Sequence, residues 1–281
     1  MTQKTTKIVT RIFMLSALAI ATVLIVNACA DDKTPSPTVN IDVVDMIDDL
    51  EDGDDIIIQK NGRSGDWYTF DDETSSGVQV PGKNDPCNPS KGGAEGSKFA
   101  MHTAGNGWAE WGAGVAFDLN PTDSIDGDGG VDDGGVDDGG VDDGGAGNYD
   151  AGVVANSAGS GGGETGLKGI YDASLYKGIV FRAKGNCKIR ASILIRSLID
   201  KENGGTCIPG DKEEEGCSNG HGAEIYLEKD WHQYALDFAT ITQDEGWGQQ
   251  KNFDPSQLVS VLFEAGKNTD FDFWIDDVGF Y

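Results

Sequence analysis

Apolar residues in this chain, from residue 46 to the C terminus, recur at every second position. They come in short runs that Gly, Asn, Asp and Pro cut off before a helical period can establish itself. The stretch KIRASILIR shows the rule. Ile189, Ala191, Ile193 and Ile195 fall on one face, and Lys188, Arg190, Ser192, Leu194 and Arg196 fall on the other. In HQYALDF the same period sends Tyr234, Leu236 and Phe238 inward and Gln233 and Asp237 outward. Strands are expected at DIIIQ, DWYTFDD, KFAMHTA, GAGVAFDL, KGIVFRAKG, KIRASILIRSLI, AEIYLE, HQYALDF, LVSVLFEA and FDFWIDDVGFY. Neither half of the set has enough strands to close a core alone, so the pattern predicts a single all-β sandwich over residues 46–281.

Two segments stand outside this pattern. Lys4, Lys7 and Arg11 precede the apolar run Ile12 to Val26, which is short for a membrane span and ends in VNAC. Residues 1–28 read as a bacterial lipoprotein signal peptide, with Cys29 as the lipidated first residue and residues 29–45 as a flexible tether. The expected location is the bacterial cell envelope, at the outer membrane or cell surface, with the membrane contacted through the lipid alone. The second segment, residues 121–163, carries three VDDGG repeats and almost no side chain able to enter a core. It reads as a disordered low-complexity loop inside the domain.

Loss of the three signal cations takes the net charge from −27 to −30. A surface this acidic repels phosphate backbones, which argues against nucleic acid and anionic lipid surfaces and suits neutral ligands or cations. Besides Cys29 there are four cysteines in a chain read as exported, so disulfides are expected. Cys207 and Cys217 bracket a short loop and make the local pair, which leaves Cys87 with Cys187.

IDDLEDGDD at the start, WGAGVAFDL after AMHTAGNGWAE, YDASLYKGIVFRAKG leading into KIRASILIR, and DWHQYALDF followed by FDFWIDDVGFY together resemble the galactose-binding-like jelly rolls. Among these the chain is most similar to the family 11 carbohydrate-binding modules, over most of residues 46–281 apart from the insertion. The resemblance implies a jelly-roll β-sandwich, non-catalytic binding of a neutral polysaccharide, and a monomer. It also implies a structural calcium where the first and last strands meet, held by backbone carbonyls, Glu51 and Asp276, with Asp277 as the alternative side chain. The chemistry agrees, because a carboxylate among aromatic residues is costly unless paired or metal-bound. The competing reading makes Asp276 and Asp277 edge guards or caps on backbone amides.

No GxSxG elbow, HExxH, Walker loop or helix-opening GxGxxG is present, and the three histidines lie in different segments. The chain therefore reads as a binding protein rather than an enzyme. A scaffold or protein-interaction lipoprotein, or a glycoside hydrolase, are the alternatives. Sugar binding needs flat aromatic faces and planar hydrogen-bonding groups. The resemblance places the cleft on the outward side of KIRASILIR, which selects Arg190 and Arg196. Trp108, Trp111 and Trp247 in Gly-rich loops, and His102 within KFAMHTA, complete the expected binding set.

Overall fold

The computed structural model describes residues 35–122 and 167–281. The signal peptide, Cys29 and most of the VDDGG loop lie outside those residues. Fourteen strands are formed among the described residues: β1 (Asp45–Asp48), β2 (Trp67–Asp71), β3 (Val78–Val80), β4 (Ser90–Lys91), β5 (Phe99–Asn106), β6 (Gly112–Asp118), β7 (Pro121–Thr122), β8 (Leu167–Lys168), β9 (Gly178–Gly185), β10 (Lys188–Ile195), β11 (His221–Tyr226), β12 (His232–Asp237), β13 (Leu258–Gly266) and β14 (Phe271–Phe280). The helical segments among these residues are 3₁₀ turns of three residues each.

Twelve of the strands make two antiparallel sheets of a jelly-roll β-sandwich. One runs β12-β9-β14-β5-β3, with β1 added to β14 and β4 to β5; the other runs β11-β10-β13-β6-β2. The two-residue period creates the core between them. Phe181 and Phe273 from the first sheet, and Ala191, Val261, Phe263 and Phe117 from the second, are fully buried. Phe181 meets Phe263 edge-on at 4.9 Å, which joins the sheets, and Trp67 lies 4.7 Å from Phe117 and 6.1 Å from Phe263. The expected sides of HQYALDF hold: Tyr234 and Leu236 are buried and Asp237 is exposed.

Four differences from the sequence expectations have physical causes. DIIIQ is not a strand. Its residues make one bridge, Ile56 to Asp66, while the Ile58 amide donates to the Ile47 carbonyl, so the segment packs as a loop under β1. The strand that does form there, β1, has four residues and two aspartates, too little pattern for a two-residue period to register. The tether expected through residue 45 is docked over its second half. The Ser36 amide donates to the Tyr226 carbonyl, the Val39 amide to the Gln233 carbonyl and the Val44 amide to the Phe280 carbonyl, while Ile41 exchanges two hydrogen bonds with the Gln233 side chain. This strap lies against the outer edge of β12, where its Val39 amide pairs with the Gln233 carbonyl.

Cys207 and Cys217 form the expected disulfide. Cys87 and Cys187 do not: both are buried thiols, and the expected second bridge is corrected. The Cys87 sulfur lies 3.5 Å from that of Met101 on β5, whereas Cys187 follows β9. Met101 pairs with Ile275, and Ile275 with Ala183, so two strand spacings of about 5 Å each separate β5 from β9. That separation exceeds what a disulfide spans.

The base of the insertion is closed by the β7–β8 ladder, in which Pro121 pairs with Lys168 and Thr122 with Leu167.

Candidate functional site

The outer face of the second sheet carries one row of side chains fixed by strand register. Arg190 on β10 pairs with Glu224 on β11 and with Glu264 on β13; Glu264 pairs with Gly114 on β6, and Gly114 with Phe70 on β2. At the β2 end Trp111 stacks on Phe70 with ring centres 5.9 Å apart and an angle of 22°. Trp111 remains 45% exposed, the open aromatic surface of this face. Its loop is pinned from below: the amides of Glu110, Trp111 and Gly112 all donate to one oxygen of Asp72. One row along, Tyr68 donates its hydroxyl to Asp118, which also accepts from Ser260.

Arg190 closes the other end. One guanidinium nitrogen lies 2.8 Å from an Asp244 oxygen and the other donates to the carbonyls of Gly220 and Thr242. The guanidinium thus fastens the loop that carries Trp247, itself held by Asn219, which donates to the carbonyls of Asp244 and Trp247. Between the two ends lies Glu264. Burial pushes its carboxyl up to about 7; Asp244 and Asp72 add to the rise and Arg190 opposes it. Gly114 beside it has no side chain, because a Cβ there would fall 2.1 Å from the Phe263 carbonyl oxygen. The row therefore has a flat aromatic end, an acid beside a glycine in the middle, and a cation fixed by its own carboxylate at the far end.

The expected binding residues divide across the molecule. Arg190 and Trp111 share this face, and Trp247 sits in the loop that Arg190 fastens. Arg196 lies past the end of β10, in a 3₁₀ turn, and Ser192 and Leu194 on the same side are buried, so of that outward set Arg190 alone reaches the row. Trp108 is buried against the backbone of Gly77, where a Cβ would fall 2.1 Å from its ring, and so is no rim residue. His102 is on the other sheet. It stacks on Trp274 at 3.9 Å and lies 2.9 Å from Asp272, in a row with Lys184, whose ammonium sits between the rings of Trp274 and Trp231. Phe70 and Glu264 were not singled out from the sequence, where Tyr68 lies only within the expected strand DWYTFDD. The available signal for Glu264 is a lone charge interrupting the apolar run LVSVLFEA.

The acidic ends of the chain do meet. β14 pairs with β5 and β9 as far as Asp276, then shifts register before Gly279, and Asp277 sits at the bulge with φ +48°. Asp276 points away from the core yet is fully buried under the Gly92–Lys98 loop, accepting from the amides of Ala94 (2.7 Å) and Asp277 (2.8 Å). Glu51 accepts from the amides of Lys98 and Phe99 and lies 3.4 Å from the Lys98 ammonium. Burial, followed by the charges of Asp277 and Glu51, raises the Asp276 carboxyl to about 6; Asp277 is raised by burial too and lies 3.2 Å from Arg182. Mutually repelling hard-oxygen donors of this kind suit calcium. Among the described residues no three acidic, His or Cys side chains converge on one point, so backbone carbonyls would have to complete a shell.

No protein-family model and no curated protein matches the chain. Among solved structures it is similar to the family 11 carbohydrate-binding module from Clostridium thermocellum in complex with a β-1,3-1,4-mixed-linked tetrasaccharide, at 11% identity over 84% of this chain and 94% of that one, with a TM-score of 0.43. It is similar also to the family 11 module of a cellulosomal cellulase of Clostridium thermocellum, at 11% identity over 87% of this chain and 95% of that one, TM-score 0.42. An exo-β-agarase is matched at 8% identity over 84% of this chain and 25% of that one, TM-score 0.38. In fold, the chain resembles the family 11 carbohydrate-binding modules.

Proposed function

We propose that this protein is a lipid-anchored, non-catalytic carbohydrate-binding module of the cell envelope. On this reading it captures an uncharged polysaccharide on the outer face of the β11-β10-β13-β6-β2 sheet. The observation that carries the reading is the open row from Trp111 and Phe70, past Glu264, to Arg190. The exposed indole offers a face to sugar C–H bonds, and the acid and the loop-fastening cation offer fixed polar groups to hydroxyls. Calcium is proposed to tie Glu51 on the opening turn to Asp276 on β14, offsetting the repulsion between the buried carboxylates and stabilising the strand junction. Lipid on Cys29 would hold a monomeric domain at the membrane without a spanning segment.

The test is retention of the soluble domain on a panel of plant, algal and microbial polysaccharides, with calcium and with chelator. Retention on one uncharged class, lost in Trp111→Ala, is expected. A folded protein retained on none would favour a scaffold or protein-binding role. Release of oligosaccharide products would favour a hydrolase.

A further inference from the structure

Glu264 is anomalous. It stands on β13, the central strand of its sheet, and among the described residues no hydrogen bond or ion pair engages its carboxylate. Other acids around it are engaged. Asp244 pairs with Arg190, Asp72 collects three amides from the Trp111 loop, Asp118 takes the hydroxyls of Tyr68 and Ser260, and Glu224 pairs with Lys188. Arg190 faces Glu264 across the sheet, yet its bonds among the described residues go to Asp244 and to two carbonyls. A largely buried carboxylate without a partner is expensive. A plain hydrophobic residue would fit a sheet position flanked by Gly114 and Leu262 at lower cost, so the charge points to a use outside the folding of the chain.

Resting on the proposed sugar-binding face, we infer that Glu264 is its specificity-determining acceptor. In its ionised form it takes hydrogen bonds from the hydroxyls of an uncharged sugar seated over Gly114 against Trp111, and it excludes sugars bearing carboxylate or sulfate. The ring is seated against the exposed face of Trp111, and a sugar hydroxyl supplies the donor that the protein lacks at Glu264. An anionic substituent would instead meet Glu264 together with Asp244 and Asp72, with Arg190 already committed.

Because the carboxyl titrates near neutrality in the empty face, binding is proton-linked. A ligand that bonds to the carboxylate lowers its pKa and drives a proton off, so affinity rises with pH through the neutral range. The charged and titratable groups facing Glu264 are Arg190 on β10, Asp244 in the loop after β12 and Asp72 after β2. His221, buried and interacting with Arg190, is pushed toward its neutral form by that burial.

The experiment is calorimetric titration with whichever uncharged oligosaccharide the panel selects, at pH 6, 7 and 8 and in buffers of differing ionisation enthalpy, for the wild type and Glu264→Gln. Wild-type affinity is expected to fall about tenfold from pH 8 to pH 6, with proton release on binding near pH 7. Glu264→Gln is expected to bind about tenfold more weakly at pH 8, the loss of one hydrogen bond to a charged group, and to show no pH dependence. It should melt no lower than the wild type, because it removes a buried charge. Wild-type affinity flat from pH 6 to pH 8, or undiminished binding by the variant, overturns the role of Glu264 while leaving sugar binding standing. Failure of the wild type to bind any glycan overturns both.

Discussion

Arg63 offers the largest single-residue effect the structure predicts. Its guanidinium is 2% exposed and donates to both oxygens of Asp45 (2.8 and 3.2 Å), to the Met46 carbonyl (2.8 Å) and to the Tyr171 hydroxyl (3.0 Å). The rings of Tyr171 and Phe280 flank it at 5.5 and 5.8 Å. Asp45 also receives Lys60, Asn61 and Tyr176, so Arg63→Met leaves a buried carboxylate that keeps only part of its shell. Removing one partner of a buried ion pair costs roughly 3–5 kcal/mol, and the three remaining donors place this case near the lower end, about 3 kcal/mol. For a domain of this size that is a fall in Tm of about 6–12 °C. The pH dependence supplies the check. Hydrogen bonds from Arg63, then from Lys60, Tyr176 and Asn61, hold the Asp45 carboxyl well below the usual carboxylate range. A depressed folded pKa gives stability that is present above the ordinary carboxylate pKa near 4 and is lost as pH falls below it. The gap between wild type and Arg63→Met, followed by urea unfolding with tryptophan fluorescence, should therefore be full at pH 7 and narrower by about 1 kcal/mol at pH 3. A gap under 1 kcal/mol at pH 7, or one that does not narrow in acid, would refute the reasoning.

Other outcomes follow from the same geometry. Burial raises Asp48 and Glu264 to about 7 and Asp276 to about 6, so stability falls as pH rises from the ordinary carboxylate pKa near 4 up to those values and is level above them. In chelator, melting temperature should accordingly rise as pH is lowered from 7.5 to 5, with Asp276 alone contributing about 1.4 kcal/mol; a flat profile would count against these shifts. Added calcium should raise the melting temperature at pH 7.5, and Asp276→Ala should abolish that increment; differential scanning calorimetry reads both. Trp111→Ala should change stability by less than about 1 kcal/mol, because the ring is half exposed, while removing retention in affinity electrophoresis. Alkylation of the native protein should spare Cys87 and Cys187, whereas after unfolding both should react and Cys207–Cys217 should stay linked until reductant is added, as peptide mass spectrometry would report. Burial pushes the Cys87 thiol up to about 12, which reinforces its inertness.

Wherever one strand face was apolar and the other polar over six or more residues, as in β10 and β12, sequence periodicity located the element and its inward side, and it located β14 as a strand. It did not reveal β1, β3, β4, β7 or β8, which have four residues or fewer; β1, β3 and β4 are held by register with a longer partner, and β7 and β8 by each other, rather than by a pattern of their own. The resemblance to the family 11 modules placed the acidic turn around Glu51 near Asp276, and the charge of Glu51 does reach the Asp276 carboxyl. The binding row was harder to see. Arg190 and Trp111 were legible as an outward cation and a loop aromatic, but Phe70 and Glu264 join them only through cross-strand register, which sequence separation conceals. Trp108 and Trp111 look alike on paper, three residues apart in GNGWAEWGAG. Gly77 admits the first ring against its backbone, and Asp72 turns the second outward.

The strap along β12 also shapes the response of the domain to pulling. A force applied at residue 35 first meets the hydrogen bonds between Ser36 and Tyr226, then Val39 and Ile41 on Gln233, then Val44 on Phe280, and only after these the β1–β14 ladder. The contacts are spaced along the strap and can yield one after another. Tension entering from the N-terminal side would be absorbed in small reversible steps, with the sandwich and its binding row left undistorted until the strap has peeled away.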